Sequence, residues 1–77
     1  MRLKAVKVEP LENYILKITF ENGEIKKFDV KPYMEHKAFK ELKNRAIFNT
    51  VKISGLSIAW INGADICPDE LYINSYI

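Results

Sequence analysis

One stretch, Asn13 to Val30, admits a single sensible β-hairpin register, and that register constrains what the whole chain can become. The turn is Glu21-Asn22-Gly23. A two-residue turn at Asn22-Gly23 would set Glu21 opposite Glu24, and like charges opposed across strands repel. It would also pair Leu16 with Asp29 and Ile18 with Lys27. A three-residue loop with Gly23 as the left-handed bulge residue instead pairs Phe20 with Glu24, Ile18 with Lys26, Leu16 with Phe28 and Tyr14 with Val30. That choice gathers Tyr14, Leu16, Ile18, Phe20, Phe28 and Val30 on one face and sends Lys17, Thr19 and Lys27 to the other. A slip of one residue would invert the set, so burial enforces the three-residue loop.

The remaining elements follow from the same kind of argument. Leu3 to Glu9 alternates as a strand, with Val6 and Val8 on one side and Lys7 and Glu9 on the other, and Pro10 ends it because it has no N–H to donate. From Lys31 to Thr50 the apolar residues Tyr33, Met34, Ala38, Phe39, Leu42, Ala46, Ile47 and Phe48 recur at helical spacing. Asn44, a good N-cap, divides them into short helices over about 32–43 and 45–50. In Ser54-Gly55-Leu56-Ser57 the glycine stands first of the two central residues, which suits a type II′ turn. That turn pairs Ile53 with Ile58 and Val51 with Trp60, and puts Lys52, Ser54, Ser57 and Ala59 on the opposite face. Pro68, followed by Asp69 and Glu70, opens a C-terminal helix over about 68–75 that turns Leu71 and Tyr72 inward. Asp29-Val30-Lys31-Pro32 and Asp65-Ile66-Cys67-Pro68 share a shape in which an aspartate accepts backbone N–H groups where the chain leaves a strand. Four residues do not establish a duplication.

Seventy-seven residues make one domain, 1–77, near the lower limit for folding without staples. The expected fold is α+β, a small two-layer domain: antiparallel β-hairpins and the N-terminal strand form a curved sheet, with short helices packed on one face. The single cysteine, Cys67, excludes an internal disulfide and suits a reducing compartment. The longest apolar run is Ile58-Ala59-Trp60-Ile61, against roughly 20 residues for a bilayer span. Met1-Arg2-Leu3-Lys4-Ala5 lacks an apolar export core. The expectation is a cytoplasmic protein with no membrane association.

Catalysis needs convergent groups, and few are present. A Cys67–His36 pair would require a thiolate and a third group to orient the imidazole. Helix-start placement beside Pro68 is the one argument for a reactive Cys67, and a small buried apolar cysteine is the alternative. One histidine, one cysteine and scattered carboxylates match no tetrahedral or calcium-loop spacing, and the glycines stand singly in turns rather than in a phosphate loop. The chain is therefore read as no enzyme, with no catalytic residues, metal or cofactor.

Two binding readings remain. Lys26, Lys27, Lys31, Lys37, Lys40 and Lys43, with Tyr33 and Phe39 interleaved, are the basis for direct nucleic-acid contact through residues 26–43. Asp29, Glu35 and Glu41 dilute that patch to +3, the chain carries only +2, and pairs such as Lys37–Glu41 fit a solvated helix face. The other reading is a protein interface, formed either by an exposed strand edge or by the Asn62–Asp65 loop region, with Trp60, Asn62 and Asp65 as its candidate residues. Tryptophan is a frequent interface anchor, and Asn62, Gly63 and Asp65 could rim it or simply form a turn. The hairpin register, however, turns Trp60 inward.

Val8-Glu9-Pro10-Leu11, Phe20-Glu21-Asn22-Gly23-Glu24, Phe28-Asp29-Val30, Ala38-Phe39 with Leu42, Phe48, and above all Trp60 through Tyr72 resemble a small bacterial family, domain of unknown function 2442 (DUF2442). The resemblance runs from Met1 through Tyr72. Ile61 departs from the commonest family form, which has proline there and a tighter bend. The family brings no activity with it. Some members are fused to a helix-turn-helix DNA-binding domain, and many are encoded beside another small protein in the manner of toxin–antitoxin pairs. The resemblance implies a non-enzymatic regulatory or antitoxin-like module that binds a protein partner, such as a small neighbouring gene product. The stretch here contains no helix-turn-helix, so DNA contact would be indirect or through a partner. Self-association is left open.

Overall fold

A computed structural model describes residues 3–77; Met1 and Arg2, the start of the polar N-terminal stretch, lie outside the described residues. The chain forms two three-stranded antiparallel sheets with short helical segments between and after them. Strands β1 (Ala5–Pro10), β2 (Ile15–Phe20) and β3 (Ile25–Asp29) form the first sheet in that order. Strands β4 (Lys52–Ser54), β5 (Ser57–Ala59) and β6 (Asp65–Ile66) form the second. Two α-helices, α1 (Arg45–Phe48) and α2 (Pro68–Asn74), 3-10 segments at Lys31–Tyr33 and Lys37–Lys43, and a tight turn at Glu12–Tyr14 complete the fold. The α+β class holds, but the hairpins belong to separate sheets, joined where Ala5 N–H donates to Leu56 O at 3.0 Å.

The long hairpin adopts the three-residue loop. Leu16 faces Phe28 and Ile18 faces Lys26, while Phe20 N–H reaches Glu24 O at 2.9 Å. Gly23 has φ +89°, a conformation that costs an L-residue the clash of its Cβ. Leu16, Ile18, Phe20, Phe28 and Val30 are all buried as the register requires.

Strand β1 departs from simple alternation. Its register shifts between Ala5 and Lys7, so Val6 and Lys7 together face Thr19, and a bulge of this kind re-aims the side chains before it. Ala5 takes the inward place and is fully buried, whereas Val6, expected to face the same way as Val8, is 48% exposed. The bulge corrects that expectation.

The second hairpin pairs Ile53 with Ile58 about Gly55, whose φ of +59° suits the first central position of the turn. Ser57, assigned to the outer face, is nevertheless buried because β1 lies near this hairpin, and its hydroxyl has no partner. A further strand follows where the sequence shows no alternation: Ile58 pairs with Ile66 and Ala59 with Asp65. Each sheet is thus a meander ending at an Asp-x-x-Pro stretch. Asp29 does accept the Lys31 N–H at 2.9 Å, while Asp65 makes no such bond.

The stretch expected as one helix over 32–43 is two 3-10 segments with a break at His36, whose ψ of 143° is extended. Phe39 and Leu42, three residues apart, align on one side of the three-residue turn, with Leu42 fully buried and Phe39 half-buried against the core. Asn44 caps α1 as expected, its side chain accepting from Ala46 N–H at 3.0 Å. Helix α2 starts at Pro68 with Asp69 and Glu70 in its first turn, and Leu71 is buried. Asn74 Nδ2 donates to the Tyr33 hydroxyl at 3.0 Å and ties α2 to the 3-10 layer.

The core is an aromatic chain. Phe28, Tyr33, Phe39, Trp60, Phe48 and Tyr14 follow one another with ring centroids 5.2–6.4 Å apart. At its end Asn13 and Tyr14 both adopt left-handed backbone, with φ of 60° and 59°, which is strained for a bulky residue. The Tyr14 hydroxyl bound to Lys43 O at 2.6 Å and Lys31 Nζ bound to Asn13 O at 2.7 Å hold that conformation.

Candidate interaction surface

The Trp60–Asp65 loop is built like the first hairpin turn. Trp60 N–H donates to Ala64 O at 2.8 Å, Gly63 N–H to Trp60 O at 3.1 Å, and Ala64 N–H to Asn62 Oδ1 at 3.1 Å. Glu24 N–H and Asn22 Oδ1 repeat the last bond at 3.1 Å. Within this frame Trp60 is 2% exposed and its indole Nε1 donates to Phe48 O at 3.0 Å. It is a core residue, and as a surface anchor it is corrected. Asn62 is half-buried, and its Nδ2 donates to Ala38 O at 3.2 Å and Glu41 Oε1 at 2.8 Å, strapping the loop to the 3-10 layer. Of the three residues singled out by sequence, Asp65 alone is exposed.

The lysine stretch is similarly committed in part. Lys31 pairs with Asp29 at 3.0 Å, and Lys26 lies 3.9 Å over the Tyr72 ring. Tyr33 and Phe39, which would have to stack on bases, are links in the core chain. The expected Lys37–Glu41 pair does not form, since Glu41 is taken by Asn62. Lys27, Lys37, Lys40 and Lys43 are exposed. Cys67, weighed as a small buried group, is exposed, and so is His36. Among the described residues no three His, Cys, Asp or Glu side chains gather closely enough to hold a metal ion.

A shallow depression of about 570 Å³ is lined by Tyr14, Lys31, Pro32, Met34, Glu35 and Lys43. Its Lys31 is already bound to Asp29 and Asn13, so few polar groups are free to converge on a ligand.

Beside β3 a small polar cluster has perturbed titration. Glu24 accepts from Asn22 Nδ2 at 2.6 Å and from the Tyr72 hydroxyl at 2.7 Å. The Asn22 bond first, then the Tyr72 bond and the nearby Lys26 charge, hold the Glu24 carboxyl below its ordinary value. The bond to Glu24 pushes the Tyr72 phenol up. Burial, followed by Glu70, does the same to Tyr33. The Tyr72–Glu24 bond ties α2 to the first hairpin.

The outward face of the first sheet is different, because its side chains, Lys7, Lys17, Ile25 and Lys27 among them, are exposed. The sequence assigned Lys17, Thr19 and Lys27 to this side; the structure adds Lys7, Val6, Ile25 and Tyr76. Lys7, Thr19 and Ile25 form one row across the strands, and Glu9, Lys17 and Lys27 form the next. Tyr76 extends that second row, exchanging backbone hydrogen bonds with Lys27 at 2.6 and 2.8 Å. Ile25 is 53% and Tyr76 46% exposed. The signal sequence reading lacked was the bulge that turns Val6 outward and the return of the chain at Tyr76.

Residues 5–75 match the family model described as "Protein of unknown function (DUF2442)". The chain belongs to this family. No curated protein and no solved structure matches. In this DUF2442 protein the residues that carry the resemblance are mainly scaffold: Phe20 and Trp60 are core, Asn22 and Asn62 shape turns, and Pro68 opens α2. The Ile61 N–H donates to Thr50 Oγ1 at 3.2 Å, a bond that proline at this place could not make.

Proposed function

We propose that this DUF2442 protein is a non-enzymatic interaction module that binds a protein partner and acts as an antitoxin-like regulator. The observation that carries the reading is the exposed face of the first sheet. Three large apolar side chains stand on it, in a domain whose other aromatic rings pack on one another. Exposed apolar residues grouped together mark interaction sites, whereas singly scattered ones need no explanation. The regulatory part of the reading rests on the family's fusions to DNA-binding domains and its paired small genes.

Strand edges support this less well than the face. Leu56 meets the β1 backbone at Ala5, Tyr76 occupies the β3 edge at Lys27, and the second sheet has edge strands of three and two residues. Short or covered edges are poor templates for an added strand. Direct nucleic-acid binding through residues 26–43 is weakened by the inward Tyr33 and Phe39.

The test is capture of the partner from the native cell, followed by reconstitution from purified components. A stoichiometric complex, with the partner's effect on growth suppressed by this chain, is the expected result. Failure to reconstitute any complex at micromolar concentration, or a steeply salt-dependent shift of DNA by the chain alone, overturns the reading.

A further inference from the structure

We infer that the outward face of the β1–β3 sheet is the docking surface, and that its occupant is an acidic amphipathic helix of a partner protein. This deepens the function proposed above and rests on it. Two physical features define the face. The first is an apolar band: Val6 beside Thr19, Ile25 in the same row, and Tyr76 one row along on the neighbouring segment. The second is charge. Lys17 stands directly opposite Lys27, a like-charge pairing that is unfavourable on an exposed sheet. Glu9 answers Lys17 across β1, but neither Lys7 nor Lys27 has an acid opposite it, and no ion pair forms among these groups. Carboxylates brought in by a partner would relieve that repulsion.

The dimensions select a helix. Three strands about 4.8 Å apart, with Tyr76 as a fourth position, span roughly 14 Å. A helix laid across the strands spans that distance in about ten residues and can set an apolar stripe along the row of Val6 and Ile25 with acids toward the row of Lys17 and Lys27. A second copy of this chain fits less well, since each face would bring Lys7, Lys17 and Lys27 with only Glu9 to answer them. A nucleic-acid strand would meet aliphatic Val6 and Ile25 where it needs stacking partners or cations.

The test uses the full ¹⁵N-labelled chain and a 16-residue peptide with leucine at helical i, i+3, i+4 spacing and glutamate on the flanks. Controls are a scrambled peptide of the same composition, a version with lysine for glutamate, and a 12-nucleotide oligothymidine. Shifts of the Val6, Lys7, Thr19, Ile25, Lys27 and Tyr76 amides with the acidic helix alone are expected. Affinity should fall about tenfold or more in the double variant Ile25→Glu, Lys27→Glu. Both sites are exposed, and an unchanged spectrum elsewhere verifies that the variant is folded. Equal binding of the scrambled peptide, shifts confined to residues 37–43, tighter binding of the oligothymidine, or full affinity in the double variant overturns the assignment. If the captured native partner binds the double variant as tightly as the wild type, the face is wrong while the interaction function stands. If the peptide docks but no native complex can be reconstituted, the face stands and the function fails.

Discussion

Replacing Trp60 by alanine tests the placement of this residue most directly. The indole is almost completely buried, packed edge-on to Phe39 at 6.0 Å and tilted against Phe48 at 6.4 Å, with Nε1–H on Phe48 O. Burying about 200 Å² of tryptophan is worth up to about 5 kcal/mol at 25 cal/mol per Å², and alanine recovers only part of that. Losing the indole N–H adds little, because Phe48 O still accepts from Val51 N–H at 3.3 Å and is not orphaned. The cavity left behind brings the expected cost to about 3–5 kcal/mol. A domain this size is stable by roughly 4–12 kcal/mol, so about a quarter of the total or more is at stake. Equilibrium urea unfolding followed by far-UV circular dichroism should show the midpoint falling by roughly 2–4 M at an unchanged slope. Trp60→Phe, which keeps a ring between Phe39 and Phe48, should lose about 1–2 kcal/mol. A cost below about 1 kcal/mol for the alanine variant would refute the reasoning and return Trp60 to the surface.

Asn62→Ala should destabilise by about 1–2 kcal/mol and Asn22→Ala by roughly half as much, because beyond the turn bond both make, Asn62 straps the loop to Ala38 and Glu41 whereas Asn22 adds only an exposed bond to Glu24 within its own turn; equal urea midpoints for the two variants would contradict this. Gly63→Ala should cost about 1–2 kcal/mol from backbone strain alone, since φ is +93° while the added Cβ meets nothing within 4 Å; a stability equal to wild type would show that the turn relaxes. The Glu24–Tyr72 bond requires an ionised carboxyl and a neutral phenol. Its carboxyl side, with the folded pKa depressed below the ordinary 4.5, is present above that value and lost as the pH falls through the folded pKa. Its phenol side, with the folded pKa raised above 10.0, is present below that value and lost as the pH rises through the folded pKa. Glu24→Gln should flatten the acid limb of urea midpoint against pH, and an acid limb unchanged in that variant would remove Glu24 as its source.

The parts of the fold that sequence made legible are those where two local constraints coincide. Turn chemistry at Gly23 and Gly55 agreed with the apolar alternation on either side, and both registers stand. Asn44 and Pro68 marked helix starts for reasons confined to one or two turns of chain. Strand β6 was missed because two residues carry no alternation to read; its existence depends on the closure of the Asn62-Gly63 turn onto Trp60. The bulge at Val6 was missed because Val6 and Val8 alternate plausibly, and only packing against Phe20 favours the smaller Ala5 inside. The site was harder still. Trp60 and Asn62 were conspicuous by residue type, but both serve the scaffold. The exposed face is assembled from residues as far apart in sequence as Val6 and Tyr76, each unremarkable alone.

The two Asn-Gly turns also bear on how such a chain can change in length. From Gly23 to Asp29 is six residues and from Gly63 to Asp65 is two, so the meanders differ by four positions, an even number. Even steps preserve which side of a pleated strand looks inward, so Val30 and Ile66 both still reach the interior. Gains or losses within these arms should therefore come in pairs, and an odd one would have to be absorbed by a kink of the kind already present near the start of β1.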